Sequence, residues 1–206
     1  MVKKVSTDLF ELAGQRYLVV MDYSRFIKIL SLMEITSQAV IQKLKSVFAR
    51  WSIPEELVSD NGTQFKSAMF DEFKAEYGFR HTTSSPRHHQ ANGSAESGVR
   101  ISELILEQED PFLTLMADRA TPVPATRKTP VELIMGRQIR TTIPTMVKFS
   151  QQKLTDHAAV KKADVKAKGG YKESFDRRNG TRELPPLQPG DWVRVKLDRE
   201  AVDYRI

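Results

Sequence analysis

Three runs of strand-forming residues crowd into the first 32 positions with almost nothing between them, and this restricts the fold more than any other feature of the chain. Residues 5–12 read as one strand, Arg16 to Asp22 as a second and Arg25 to Leu32 as a third. Ala13, Gly14 and Gln15 make the first turn, and only Tyr23 and Ser24 make the other. A parallel crossover takes a dozen or more residues, so links this short force three successive antiparallel strands.

Helical periodicity follows. From Thr36 or Ser37, suited to capping, apolar residues fall at Ala39, Val40, Leu44, Val47 and Phe48, and the stripe ends before Ile53 and Pro54. Glu56 to Ser59 reads as a short strand running into Asp60, Asn61 and Gly62, and Ser67 to Tyr77 as a helix stopped by Gly78. Phe79 to Thr83 returns as a strand. A polar, turn-rich stretch, 84–93, then opens a helix from about Ser94 to Gln108. Asp110 and Pro111 start another helix to about Asp118, and Thr129 and Pro130 a short one to Met135, ended by Gly136. Residues from Val147 to Arg178 are expected to be partly helical and broken at Gly169 and Gly170. Leu184 to Gly190 is an extended linker, and Asp191 to Leu197 alternates as a strand.

With 206 residues, 40% hydrophobic and 28% charged, the chain has material for one well-packed domain and an appendage. No apolar run approaches the roughly 20 residues of a membrane span, and the first residues lack a secretory signal, so the expectation is an intracellular protein with no membrane partner. The absence of cysteine excludes disulfides and cysteine-ligated zinc. Charge is unevenly spread: net +1 over residues 1–60, −3 over 61–120 and +8 over 121–206. Carboxylates gathered for metal, followed by a basic segment that meets phosphates, would produce this pattern, and so would a solvated basic tail.

Two-metal phosphoryl transfer requires oxygen ligands that converge from separate elements. Asp8 in the first strand, Asp60 after the fourth and Glu96 in the first turn of the helix beyond the polar loop supply such a set. Each has an ordinary reading by itself: a solvent-facing strand residue, a plain turn, and a carboxylate favoured by a helix dipole. Their spacing is more specific, with 51 residues between Asp8 and Asp60 and 35 between Asp60 and Glu96.

This arrangement resembles the D,D-35-E pattern of retroviral and retrotransposon integrases, members of the RNase H-like polynucleotidyl transferases. The local words agree: Thr7 to Glu11, Tyr17 to Tyr23, Val58 to Phe65, Ser85 and Pro86 with Gln90 to Glu96, Arg119 to Pro122, and Thr129 to Arg137. Together they look like a gypsy-class integrase of an LTR retrotransposon. The resemblance spans about 5–145, and Leu187 to Leu197 resembles the start of the SH3-like barrel that follows the core in that family.

The resemblance implies an α/β fold: an RNase H-like mixed five-stranded sheet flanked by helices over 1–145, a basic, partly helical connector over 146–183, and a linker with the start of a small SH3-like β barrel over 184–206. It implies that Asp8, Asp60 and Glu96 coordinate two Mg²⁺ or Mn²⁺ ions for 3′-end processing and strand transfer of retroelement DNA into target DNA, in a nuclear homo-oligomer. Asn61 and Gln64 would lie beside the second aspartate. Arg87, Gln90 and Asn92 would contact nucleic acid from the active-site loop, and Arg100 would reach a phosphate or pair with Glu96. His88 and His89 read as turn residues, and Asp22 as a structural carboxylate solvated at a hairpin end. Where relatives carry a DNA-gripping lysine this chain has Glu103, and with Glu107 and Glu109 it makes that helix acidic. The alternative is a catalytically impaired, retrotransposon-derived nucleic-acid-binding protein. The zinc-binding N-terminal module of the family is expected to be missing here.

Overall fold

A computed structural model describes residues 4–84, 93–142, 156–180, 188, 190, 192–197 and 200–205. The chain divides into two compact units, Met1–Val160 and Lys161–Ile206.

The first unit is built on a five-stranded sheet. Strands β1 (Lys4–Leu12), β2 (Gln15–Asp22) and β3 (Ile27–Leu32) form the antiparallel meander, and β4 (Glu56–Ser59) and β5 (Arg80–Thr83) add parallel to β1, in the order β3-β2-β1-β4-β5. Side chains alternate across a strand, and here both faces are covered. Leu18 and Val20 of β2 enter one core with Val5, Leu32 and Leu57, whereas Val19 and Met21 join Ile27 in a second core on the opposite face. The continuous apolar run Leu18 to Met21 is the consequence.

Helix α1 (Ser37–Trp51) covers the first face with Val40, Ile41, Leu44, Val47, Phe48 and Trp51. Thr36 caps it by accepting from the Ala39 amide at 3.2 Å. Helix α2 (Ala68–Tyr77) brings Phe70 and Phe73 to the same core, starting from the Ser67 cap and ending at Gly78 in the left-handed conformation, as the residue types require. Helix α3 (Gly93–Leu106) covers the other face, where Val99 and Ile101 pack on Val19, Met21 and Ile27. Gly98 faces the sheet here: a Cβ there would lie at ordinary contact distance, 3.4 Å from Val19 and 3.7 Å from Met21. Helix α4 (Pro111–Ala120) follows, and α5 (Pro130–Met135) carries a complete capping box between Thr129 and Glu132.

The β2–β3 turn corrects two expectations. The third strand starts at Ile27 rather than Arg25, because Arg25 takes the left-handed conformation (φ 65°) and the Phe26 amide donates to the Asp22 side chain. Asp22 is structural but not solvated: it is buried, and its Oδ1 accepts from the Ser24 amide, the Ser24 hydroxyl and the Phe26 amide. Arg119 of α4 fastens the same corner, donating from Nε and Nη2 to the Ile27 carbonyl at 3.2 and 2.7 Å while lying 4.5 Å over the Phe26 ring.

Helix α6 (His157–Asn179) runs unbroken through Gly169 and Gly170, contrary to expectation. Two glycines cost the helix about 2 kcal/mol relative to alanine, but neither takes a positive φ, and an Asp164–Lys168 pair one turn apart (2.7 Å) supports the stretch just before them. In the second unit β6 (Trp192–Leu197) and β7 (Glu200–Arg205) form an antiparallel hairpin, with Trp192 opposite Arg205. Among the described residues of this unit the strands make a two-stranded sheet, and no barrel is seen.

Candidate active site

The parallel register between β1 and β4 places the two aspartates. Lys4, Val5 and Ser6 pair with Glu56, Leu57 and Val58, and Asp8 and Asp60 each lie two residues beyond the last of these pairs. Strands in parallel advance together, so the two residues stand at one level along the sheet. Asp8 stands opposite Val19 in the antiparallel register with β2, and directly opposed residues share a face, so Asp8 faces the α3 side. Glu96 lies in the first turn of that helix.

The charges of Asp60 and Glu96 both reach Asp8. The Asp8 carboxyl is pushed up from 3.8 to about 6, first by burial and then by the charges of Asp60 and Glu96, while the Leu9 amide, donating to its Oδ1 at 2.8 Å, opposes the shift. Asp60 is half-buried and accepts from the Gly62 amide at 3.3 Å; Glu96 is exposed. Among the described residues no three His, Asp or Glu side chains stand close enough to form a metal-holding group. The donor chemistry nevertheless suits a hard divalent cation, which takes carboxylate oxygens and would offset the repulsion felt by Asp8.

Asn61 and Gln64 sit beside Asp60, both half-buried. The Gln64 amide folds over Gly62 into the space a Cβ would occupy, so a side chain at 62 would displace the tip of Gln64. Arg100 is exposed, one turn beyond Glu96, and no ion pair joins the two. Arg87, Gln90 and Asn92, with His88 and His89, lie outside the described residues. Glu103 is half-buried, and Glu107 and Glu109 are exposed after α3 ends at Leu106.

Two positioning residues escaped notice in the sequence. Thr7 and Ser59, each directly before an aspartate, are fully buried. Thr7 donates to the Val19 carbonyl at 2.9 Å, and the Ser59 hydroxyl bonds both the Asp60 carbonyl (2.7 Å) and the His81 ring (2.9 Å). A hydroxyl residue directly before each of the two aspartates was the available signal.

A five-stranded mixed sheet in this order, with helices on both faces and carboxylates at the ends of its central parallel pair, is the RNase H-like fold of integrase catalytic cores. The chain matches the bovine immunodeficiency virus integrase catalytic core with a TM-score of 0.56 at 19% identity, covering 66% of this chain and 95% of that one. The HTLV-2 integrase catalytic core, determined with magnesium, matches at 0.52 and 17%, covering 65% and 96%. A chain of the simian T-cell lymphotropic virus intasome matches at 0.59 and 20%, covering 74% and 60%.

Sequence comparison specifies the family. Residues 2–89 match the family model of the integrase core domain, and this segment is an integrase core domain of the retroviral type. The chain is 30% identical over 186 residues to an uncharacterized protein of Caenorhabditis elegans, which covers 83% of this chain and 14% of that protein. It is 25% identical over 177 residues to the Gag-Pol polyprotein of walleye dermal sarcoma virus, covering 78% and 10%. The chain therefore spans only a small part of either relative.

Proposed function

We propose that this chain is the catalytic core of a gypsy-class LTR retrotransposon integrase that carries out 3′-end processing and strand transfer of element DNA into target DNA. The observation that supports this best is the parallel register of β1 and β4, which sets Asp8 level with Asp60 just past β4, on the side where α3 starts with Glu96; the Asp8 carboxyl is raised first by burial and then by the charges of those two groups. Nothing in the packing of the sheet demands three acidic groups there.

Asp8, Asp60 and Glu96 would hold two Mg²⁺ or Mn²⁺ ions, whose chemistry is to activate the attacking oxygen and to stabilise charge on the phosphate and the leaving oxygen. Glu96 is exposed and must approach the aspartates for all three to share the ions. Thr7 and Ser59 hold the strand backbone beneath the aspartates through buried hydroxyls. Asn61 and Gln64, with Arg87, Gln90, Asn92 and Arg100, are the groups assigned to nucleic acid. A homo-oligomer acting in the nucleus completes the reading.

The acidic end of α3 favours a second reading. Glu103, Glu107 and Glu109 would repel phosphate, as suits a nucleic-acid-binding protein that has lost catalysis. A Mg²⁺-dependent strand-transfer and disintegration assay on this chain beside Asp60→Asn separates the two. The catalytic reading expects products from the parent chain alone, and equal signals from both would overturn it.

A further inference from the structure

Asp60 lies just past the end of the β4–β5 ladder, and the peptides on its two sides are held by different means. Ser59 is the last paired residue of β4, opposite Thr83, and its carbonyl accepts from the Ser84 amide at 2.9 Å. The next carbonyl, that of Asp60, accepts from the Ser59 hydroxyl at 2.7 Å. The same hydroxyl lies 2.9 Å from Nε2 of His81. His81 pairs with Leu57, which belongs to the core beneath α1. Paired residues of neighbouring strands share a face, as do residues two apart on one strand. His81 and Ser59 therefore both lie on the α1 side, whereas Asp8 faces the α3 side.

The proton positions follow from what each group can donate. A carbonyl only accepts, so the single hydroxyl proton of Ser59 goes to Asp60, and the hydroxyl oxygen must accept from His81. Nε2 thus carries a proton. Burial first, and then the Lys74 ammonium, hold the imidazole below the ordinary histidine pKa against the opposing charge of Asp71, so the ring is neutral at pH 7. Its centre lies 5.0 Å from that of Phe70 and 6.2 Å from that of Phe65, both buried. Phe65 closes the short helical turn Thr63–Phe65 after the Asp60 loop, and Phe70 belongs to α2. Packing on two phenylalanines asks only for an apolar ring at 81. A half-buried polar ring is compensated by its hydrogen bond to the fully buried Ser59 hydroxyl.

We propose that His81, as its Nε2–H tautomer, is a positioning residue of the carboxylate site: it orients the Ser59 hydroxyl, which holds the Asp60 carbonyl and with it the direction in which Asp60 leaves β4. His81 acts through Ser59 and the backbone and takes no part in the chemistry itself. The inference rests on the reading of Asp60 as a metal ligand only for its effect on Mg²⁺, because the hydrogen-bonded chain can be tested without metal.

Two substitutions in the full chain separate this role from packing. His81→Phe keeps a ring against Phe65 and Phe70 but removes the donor, and His81→Gln gives up the ring but offers an N–H donor in place of Nε2. Nitrogen NMR of the imidazoles is expected to show the Nε2–H tautomer at His81, whose signal among the four histidines is the one lost in His81→Phe. Backbone relaxation without metal is expected to show rigid Asp60 and Asn61 amides in the parent and in His81→Gln. Both amides should gain mobility in His81→Phe and in Ser59→Ala, and the double variant should be no more mobile than Ser59→Ala. A Mg²⁺ titration read at the Asp60 carboxyl carbon should follow the same order, with binding weakened about fivefold once the donor is lost. Circular dichroism checks that each variant is folded. An Nδ1–H tautomer in the parent, amides as rigid in folded His81→Phe as in the parent, mobility raised by His81→Gln but not by His81→Phe, or additive effects in the double variant would each overturn the proposal. A parent chain with this tautomer and this order of mobility that takes up no Mg²⁺ upholds the positioning of Asp60 and removes only the metal-dependent reading.

Discussion

Asp8 and Asp60 stand two residues past the last paired positions of adjacent parallel strands, and the charge of Asp60 contributes to holding the Asp8 carboxyl at about 6. Asp60→Asn should therefore lower the Asp8 pKa, read by carbon NMR titration of the carboxyl. Burial, the larger cause, is left in place, so the pKa should remain above 3.8. An Asp8 titration that does not respond to Asp60→Asn would show that the two carboxylates are not coupled.

The same elevation has a stability consequence. A folded-state pKa above the unfolded value means that the folded chain holds the proton more tightly, so the contribution of Asp8 is complete below pH 3.8 and is lost as pH rises through about 6. At pH 7, Asp8→Asn should stabilise the chain by roughly 1 kcal/mol, a figure discounted for the exposed part of the group. Thermal melts at pH 4 and pH 7 test this: the gain should appear only at the higher pH.

Asp22 offers a sharper contrast. Its carboxyl is also pushed up to about 6 by burial, against the hydrogen bonds from Ser24 and Phe26. Asp22→Asn keeps an acceptor for those donors and should flatten the part of the stability profile between pH 3.8 and about 6 that arises from this group. Asp22→Ala removes the same titration but also orphans two buried amides, and should be about 2–4 kcal/mol less stable than Asp22→Asn across that range. Urea denaturation across that range distinguishes the two, and a loss in the asparagine variant equal to that in the alanine variant would refute the turn assignment.

Gly98 of α3 faces the sheet over Val19 and Met21. Its missing Cβ would meet Val19 and Met21 at ordinary contact distance, so Gly98→Ala should fit and stabilise by about 0.5–1 kcal/mol through helix propensity. Gly98→Leu does not fit, and should lift α3 and take Glu96 away from Asp8. Melting temperature measures the first effect, and a fall in the Asp8 pKa the second.

Arg119→Lys should destabilise by roughly 1–3 kcal/mol, since an ammonium cannot both donate twice to the Ile27 carbonyl and stack on Phe26. Denaturant midpoints of the two chains check this, and unchanged midpoints would exclude the clamp.

Most local structure was legible in the sequence because it depends on near neighbours. Thr36, Ser67, Gly78, Thr129 and Gly136 start and stop helices where capping chemistry places them, and the short links in the meander left no alternative to antiparallel pairing. Asp8, Asp60 and Glu96 were visible as candidates because their spacing matched a strand and helix order. The left-handed Arg25 was not foreseen, since any residue there must follow the demand of the Asp22 turn. Nor was the continuity of α6 through Gly169 and Gly170, where the summed preference of the neighbours outweighs two weak positions.

The sequence by itself determined the elements, their order and the acidic residues available to a site, because hydrophobic period, caps and turn lengths act within a few residues. Only the tertiary structure decided that Asp8 lies level with Asp60 and faces α3, that Asp22 is buried, and that Arg119 reaches back to the Phe26 ring and the Ile27 carbonyl. Those relations depend on sheet order and on which face each helix covers, and both are settled by how the whole apolar surface is removed from water rather than by any local pattern.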